Sequence, residues 1–136
     1  MDKLIDIEMV GGTNYADFLY GSDTSGTTED FEAFFGLGGN DVIKGNGGMD
    51  WVGYFEDAEN GGTGAVTVDL SKGTAIDGFG DTDSLTDIQG VAGTKYDDHL
   101  IGSDTSGTAD NVEFFEGLAG SDYIDGGLGY DIVDYG

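Results

Sequence analysis

The 136 residues carry 28 carboxylates against four basic side chains, a formal net charge of −24, with 27 glycines and no cysteine. The missing cysteines exclude a disulfide scaffold and a thiolate zinc centre, and nucleic acid is an unsuitable partner because phosphate binding needs more than Lys3, Lys44, Lys72 and Lys95. With 38% hydrophobic residues at this charge, the chain is expected to stay disordered unless something offsets its self-repulsion. It contains neither a secretory h-region nor an apolar run of about 18 residues that would span a membrane.

Residues 2–54 recur as 83–135 at a constant offset of 81, with 29 of the 53 paired positions identical. Such self-similarity predicts units that stack on one another, since one unit cannot bury its apolar face alone. The chain therefore reads as a single solenoid-like domain over 1–136, a duplication with a spacer at 55–82. One period and two thirds of another are what a segment of a longer repetitive protein would hold.

Within each copy the chain order is the same. An opening stretch, DKLIDIEMV in the first copy and DSLTDIQGV in the second, leads to GTNYADFLY (12–20) or GTKYDDHLI (93–101). A longer segment follows, GSDTSGTTEDFEAFF (21–35) or GSDTSGTADNVEFFE (102–116), with Glu32 or Glu113 in place of an aspartate. Two tandem nonapeptides close the copy: GLGGNDVIK and GNGGMDWVG at 36–53, GLAGSDYID and GGLGYDIVD at 117–134. All four read Gly, two variable residues, Gly, a variable residue, Asp, a variable residue, then Ile or Val.

Each nonapeptide predicts a tight turn followed by a short strand. Gly36, Gly39, Gly45 and Gly48 permit turns whose carbonyls can face an ion, and the Asp supplies negative charge that carbonyls lack. The β-branched residues after it, such as Val42-Ile43, suit a strand with alternating faces. A halophile's acidic surface would explain the charge but not an Asp at a period of nine.

The GGxGxDxUx pattern resembles the repeats-in-toxin (RTX) family of hemolysin-type calcium-binding modules. That resemblance implies an all-β, right-handed parallel β-roll or β-helix with several calcium ions held between stacked turns. It also implies a ligand set, in which the sixth-position Asp of two same-side turns is joined by carbonyls at positions two and four upstream and one and three downstream. Carried over, one site joins Asp17 to Asp41 with the carbonyls of Thr13, Tyr15, Gly36 and Gly38. Its duplicate joins Asp98 to Asp122 with those of Thr94, Tyr96, Gly117 and Ala119. On the opposing side the carbonyls of Gly45 and Gly47 accompany Asp50, and those of Gly126 and Leu128 accompany Asp131; Glu32, Glu113, Asp23 and Asp104 are the candidates to complete these. Asp57, outside the motif, is expected to be indifferent to calcium.

In the spacer, Val66, Val68 and Leu70 alternate as a half-buried strand, followed by a turn at Ser71-Lys72-Gly73 and a second strand. This stretch is expected to continue the same parallel coil with wider loops. The expected core is Ile7, Leu19, Phe34, Ile43, Val52, Val66, Val68, Leu70, Leu85, Ile88, Leu100, Phe115, Ile124 and Val133, with both rings of Phe34-Phe35 and Phe114-Phe115 capping core layers. His99, the one histidine, has Phe18 at its equivalent position in the first copy and no serine elbow, thiol or HExxH accompanies it. Catalysis is not expected. The resemblance implies instead a secreted, monomeric, calcium-dependently folding module of a type I secretion substrate, or a repeat of an adhesin or surface-layer protein, or a targeting appendage of a secreted hydrolase or epimerase.

Overall fold

A computed structural model describes residues 7–22, 31–104 and 112–135. Asp23 lies outside them. Among the described residues, thirteen short strands and one turn of helix follow the duplication closely. The first copy holds β1 (Met9–Gly11), β2 (Phe18–Tyr20), β3 (Phe31–Phe35), β4 (Val42–Lys44) and β5 (Met49–Gly53). After α1 (Asp57–Asn60), the spacer and its continuation give β6 (Thr67–Asp69), β7 (Thr74–Ile76) and β8 (Thr82–Thr86). The second copy then repeats the first five strands at the same offset, as β9 (Gly90–Ala92), β10 (His99–Ile101), β11 (Val112–Glu116), β12 (Tyr123–Asp125) and β13 (Tyr130–Asp134).

Two sheets result. One is fully parallel, in the order β1-β3-β5-β9-β11-β13; the other is mixed, in the order β12-β10-β6-β7-β8-β4-β2. The expected single right-handed parallel β-roll or β-helix is thereby overturned. The protein is all-β, but its strands form two separate, unclosed sheets, and β7 runs antiparallel to both β6 and β8. The reason is local. The three residues Ser71-Lys72-Gly73 can only reverse the chain, since a parallel neighbour needs a crossover of a dozen residues or more. Gly73 adopts φ 65°, and Asp69 receives the Lys72 N–H, the Ser71 hydroxyl and the Lys72 ammonium.

The core lies between the sheets as two ladders. In the parallel sheet Val10, Phe34, Val52, Val91, Phe115 and Val133 stand in register. In the mixed sheet Leu19, Ile43 and Leu85 form one run, and Ala75, Val68, Leu100 and Ile124 another. Most of the expected core is buried or packed against it. Ile7 and Val133 are instead 41% and 39% exposed, Val133 because its strand is a sheet edge with a single neighbour. Each phenylalanine pair also splits: Phe34 and Phe115 face in, whereas Phe35 and Phe114 fall on the opposite face, as alternation along a strand requires.

That outer face of the parallel sheet is aromatic. Trp51 lies over Gly90 to stack on Phe114, with ring centroids 5.8 Å apart, so a Cβ at Gly90 would sit under 3.0 Å from three atoms of the indole. An aromatic side chain covering a strand glycine stabilises the pairing. Replacing Gly90 by Ala is expected to push Trp51 off Phe114 and destabilise the fold by about 1–3 kcal/mol. Denaturant unfolding followed by the fluorescence of this single tryptophan checks it; an unchanged midpoint would mean the indole can move aside freely.

Candidate metal centre

The turns place the acidic side chains in columns along the sheet edges. In the first, the Asp17 N–H donates to Asp41 Oδ1 at 2.8 Å, and the Asp41 N–H donates to Asp83 Oδ1 at 3.0 Å. In the second copy, Val66 N–H donates to Asp98 Oδ1 at 2.8 Å and Asp98 N–H to Asp122 Oδ1 at 2.9 Å. One main-chain hydrogen bond thus recurs at each step and takes one oxygen of each carboxylate. The other oxygen is the variable. In the Thr-containing turns it is held at home: Asp17 Oδ2 accepts from Thr13 N (2.6 Å) and Thr13 Oγ1 (2.9 Å), and Asp98 Oδ2 from Thr94 N (2.5 Å).

Asp41 differs. It is 1% exposed, and its Oδ2 has no hydrogen-bond partner. Asp131 Oδ1 on the opposing side is likewise buried and unpartnered. A buried carboxylate oxygen with no donor costs several kcal/mol unless a proton or a cation reaches it. Burial accordingly pushes the Asp41 carboxyl up to about 6, with the neighbouring Asp17, Asp77 and Asp81 adding to the effect and the Asp17 N–H opposing it. Asp98 is raised too, by burial against the hydrogen bonds of Thr94 and Val66.

The glycines make room for these carboxylates. A Cβ on Gly12, Gly36, Gly45, Gly93, Gly117 or Gly126 would fall under 3.0 Å from Oδ2 of the Asp closing the same turn. The carbonyls of Gly36, Gly45 and Gly126 are similarly close to where a Cβ on Gly12, Gly21 and Gly102 would be, and that of Gly117 is 3.4 Å from the equivalent point on Gly93. First-position carbonyls and sixth-position carboxylates of facing turns therefore line one gap. Backbone conformation follows the motif as well. Second-position residues Leu37, Asn46, Leu118 and Gly127 have φ between 63° and 75°, and Gly39, Gly48, Gly120 and Gly129 at the fourth have φ from 118° to 149°. A left-handed leucine costs roughly 1–2 kcal/mol. Strain of this kind is held where surroundings fix it and clusters at ligand clamps.

On the opposing side Glu32 pairs in register with Asp50, and Glu113 with Asp131. Ser22 N–H donates to both Glu32 oxygens (3.0 and 2.7 Å), as Ser103 N–H does to Glu113 (3.2 and 2.9 Å). The glutamates thus occupy the place that Asp17 and Asp98 hold beside Thr13 and Thr94, their extra methylene spanning the difference. Asp50, which is 0% exposed, donates its N–H to Gln89 Oε1 at 2.8 Å. Asp104 is exposed, with Oδ1 3.6 Å from where a Cβ on Gly127 would be. The side chains of Tyr15 and Leu128 are 80% and 56% exposed, which leaves only their backbone for the assigned role. Gly38 lies beneath the Phe79 ring, and Gly47 N–H donates to the Ser22 carbonyl across the gap at 3.3 Å. Tyr96 N–H donates to Thr94 Oγ1 at 3.0 Å, bracing the second-copy turn. Ala119 replaces Gly38 in the second copy and is exposed.

Asp83 continues the column although it lies outside the four nonapeptides. Its signal is GFGDTDSLT (78–86), with Gly first, Asp sixth and Leu eighth but the second glycine displaced to Gly80. Asp83 is 1% exposed, and its Oδ2 accepts from the hydroxyl of Tyr54, itself wholly buried. Burial pushes its carboxyl up to about 7. His99 packs edge-on against Tyr123 at 4.6 Å.

No family model matches the chain, and no curated protein was found to be similar to it. No helix among the described residues is long and apolar enough to cross a membrane.

Proposed function

We propose that the chain is a calcium-binding module that folds on binding the ion, without catalytic activity, and that it belongs to a larger secreted protein of the RTX kind. The observation that carries this reading is the buried, unpartnered Oδ2 of Asp41 in a column of aspartates at the motif spacing, cradled by glycines whose absent side chains leave the gap open. Calcium supplies positive charge and takes six to eight hard oxygens at flexible geometry. Asp17 with Asp41, and Asp98 with Asp122, would hold it through their carboxylates, aided by the turn carbonyls of Thr13, Tyr15, Gly36 and Gly38 or their duplicates. Asp50 and Asp131, with Glu32 and Glu113, would do so on the opposing edge. Among the described residues no three acidic or imidazole side chains converge in one shell. These sites accordingly pair carboxylates two at a time and draw the rest of the shell from backbone and water.

With net charge −24 the folded state needs such compensation, and an ion bound only to the folded state adds its binding free energy to stability. In chelator at pH 7.5, circular dichroism is expected to show a largely disordered chain, and calcium at about 10⁻⁴ to 10⁻³ M to restore the β signal. Magnesium substitutes poorly because of its tighter octahedral demand. A protein fully folded in chelator and low salt, unchanged by calcium, would refute the reading. The strand-for-strand recurrence at 81 residues favours a second reading of the same module, as one repeat of an adhesin or surface-layer array. Many further copies in the flanking sequence would support it.

A further inference from the structure

Outside the motif, the structure gathers a second set of buried acids where the spacer folds back on itself. Asp57 opens α1 and is 2% exposed; Asp77, after β7, is 1% exposed. The two segments are tied together. Thr63 and Gly64 N–H groups both donate to the Gly78 carbonyl (2.9 and 3.0 Å), and Gly78 N–H donates to Asp57 Oδ2 at 2.9 Å. Gly78 permits this approach, since a Cβ there would lie 2.9 Å from Asp57 Cβ. Asp77 Oδ1 accepts from Phe79 N (2.9 Å) and Asp81 N (2.8 Å), whereas its Oδ2 is buried without a partner.

Asp77 adjoins Gly78, whose N–H holds Asp57 Oδ2, so its buried, unsatisfied oxygen belongs to the turn that grips the Asp57 segment. Its charge also helps to raise the carboxyls of Asp41, Asp57 and Asp83. Burial is the main cause that raises the Asp57 carboxyl to about 7, and the strongest charged neighbours are Asp77, Asp41 and Glu56. Lys72, the basic residue nearest in sequence, is taken by Asp69. A buried acidic group of this kind is stable only with a proton or a cation among its members.

We propose that Asp57 and Asp77 form a cation site of their own, taking a divalent ion of calcium's hardness between the helix-bearing segment and the turn after β7. This site does not rest on the nonapeptide turns. Two carboxylates and a shell completed by backbone oxygens and water satisfy such an ion. It would pin the two ends of the spacer to each other, which no main-chain periodicity does.

Calcium stoichiometry of the whole chain, measured by titration calorimetry, tests the site. Asp77→Asn and Asp57→Asn are each expected to lower the count by one, and Asp122→Asn to lower it by one independently. A full count in both spacer variants overturns the site and leaves the motif reading standing. Loss confined to the spacer variants, with Asp122→Asn unchanged, upholds the site and overturns the motif reading. Should the variants not fold, carboxyl carbon resonances of the unmodified protein decide: those of Asp57 and Asp77 are expected to shift on calcium addition while that of Asp69 stays. Unmoved Asp57 and Asp77 signals would overturn the proposal, because a shared proton would then be what satisfies the cluster.

Discussion

Acid is expected to stand in for calcium: in chelator, lowering the pH from 8 to 5 should restore much of the β signal that calcium restores at pH 8. The sign follows from the raised carboxyls. Asp41 holds its proton in the folded state to about pH 6, and Asp57 and Asp83 to about pH 7, whereas an unfolded aspartate releases it near 3.8. Between those limits the folded state binds more protons, so stability of the ion-free protein is fully present below pH 4 and is lost as pH rises to 7. Asp98, Asp77 and Glu113 are raised by burial and act in the same direction. Asp69 acts oppositely, since Lys72 and Ser71 lower its pKa, but it is one group against several. The thermal midpoint in chelator is therefore expected to fall as pH rises from 5, by about 4 °C per kcal/mol lost for a domain of this size, until little folded protein remains near pH 7.5. With saturating calcium the slope should flatten or reverse, because ligands must be deprotonated to bind. A midpoint in chelator that rises with pH would show that these carboxyls are ionised and satisfied without any ion.

The second large effect is a change of sign at Asp41. Asparagine keeps an oxygen for the Asp17 N–H but removes a charge that has no partner. In chelator Asp41→Asn is expected to stabilise the protein, since an uncompensated buried charge disappears. In calcium it should destabilise, lowering the ion count by at least one and raising the calcium midpoint about tenfold, because ligand charge sets affinity. Asp41 stands between Asp17 and Asp83, so its loss touches two steps of the column, whereas Asp122→Asn touches the one it shares with Asp98. Opposite signs in the two media are the signature of a placed ligand. Destabilisation by the same amount in both would make Asp41 a packing residue.

The sequence made the ladders legible because each motif sets its apolar residue two places after the Asp, and a strand's alternation then fixes the inward face. Ile43, Val52 and Leu100 followed directly. Val91, Ala75 and Tyr54 did not, since each lies outside the nonapeptide, and their burial is decided by which strands become neighbours. The expected single parallel solenoid failed on two counts, since the strands form two separate, unclosed sheets and β7 pairs antiparallel on both sides. Ser71-Lys72-Gly73 reads as a turn, and its three-residue length implies an antiparallel return; one such hairpin turns a parallel sheet into a mixed one. The acidic columns were partly legible. Asp17, Asp41, Asp98 and Asp122 fall in the same-side steps that the RTX resemblance implies, while a displaced glycine hides Asp83. Asp57 and Asp77 carry no periodic signal at all. Only the fold brings them together, through backbone bonds at Gly78 between segments 14 residues or more apart.

Anomalous diffraction from crystals grown in calcium tests the central claim most directly. Peaks are expected in the gap between Asp17 and Asp41 and at the duplicate position between Asp98 and Asp122, 81 residues on. Gly38 and Ala119 differ there, but a ligand supplied by the backbone should be indifferent to that change. Calcium-saturated crystals with no peak in either gap, or with a peak in one copy alone, would contradict the account.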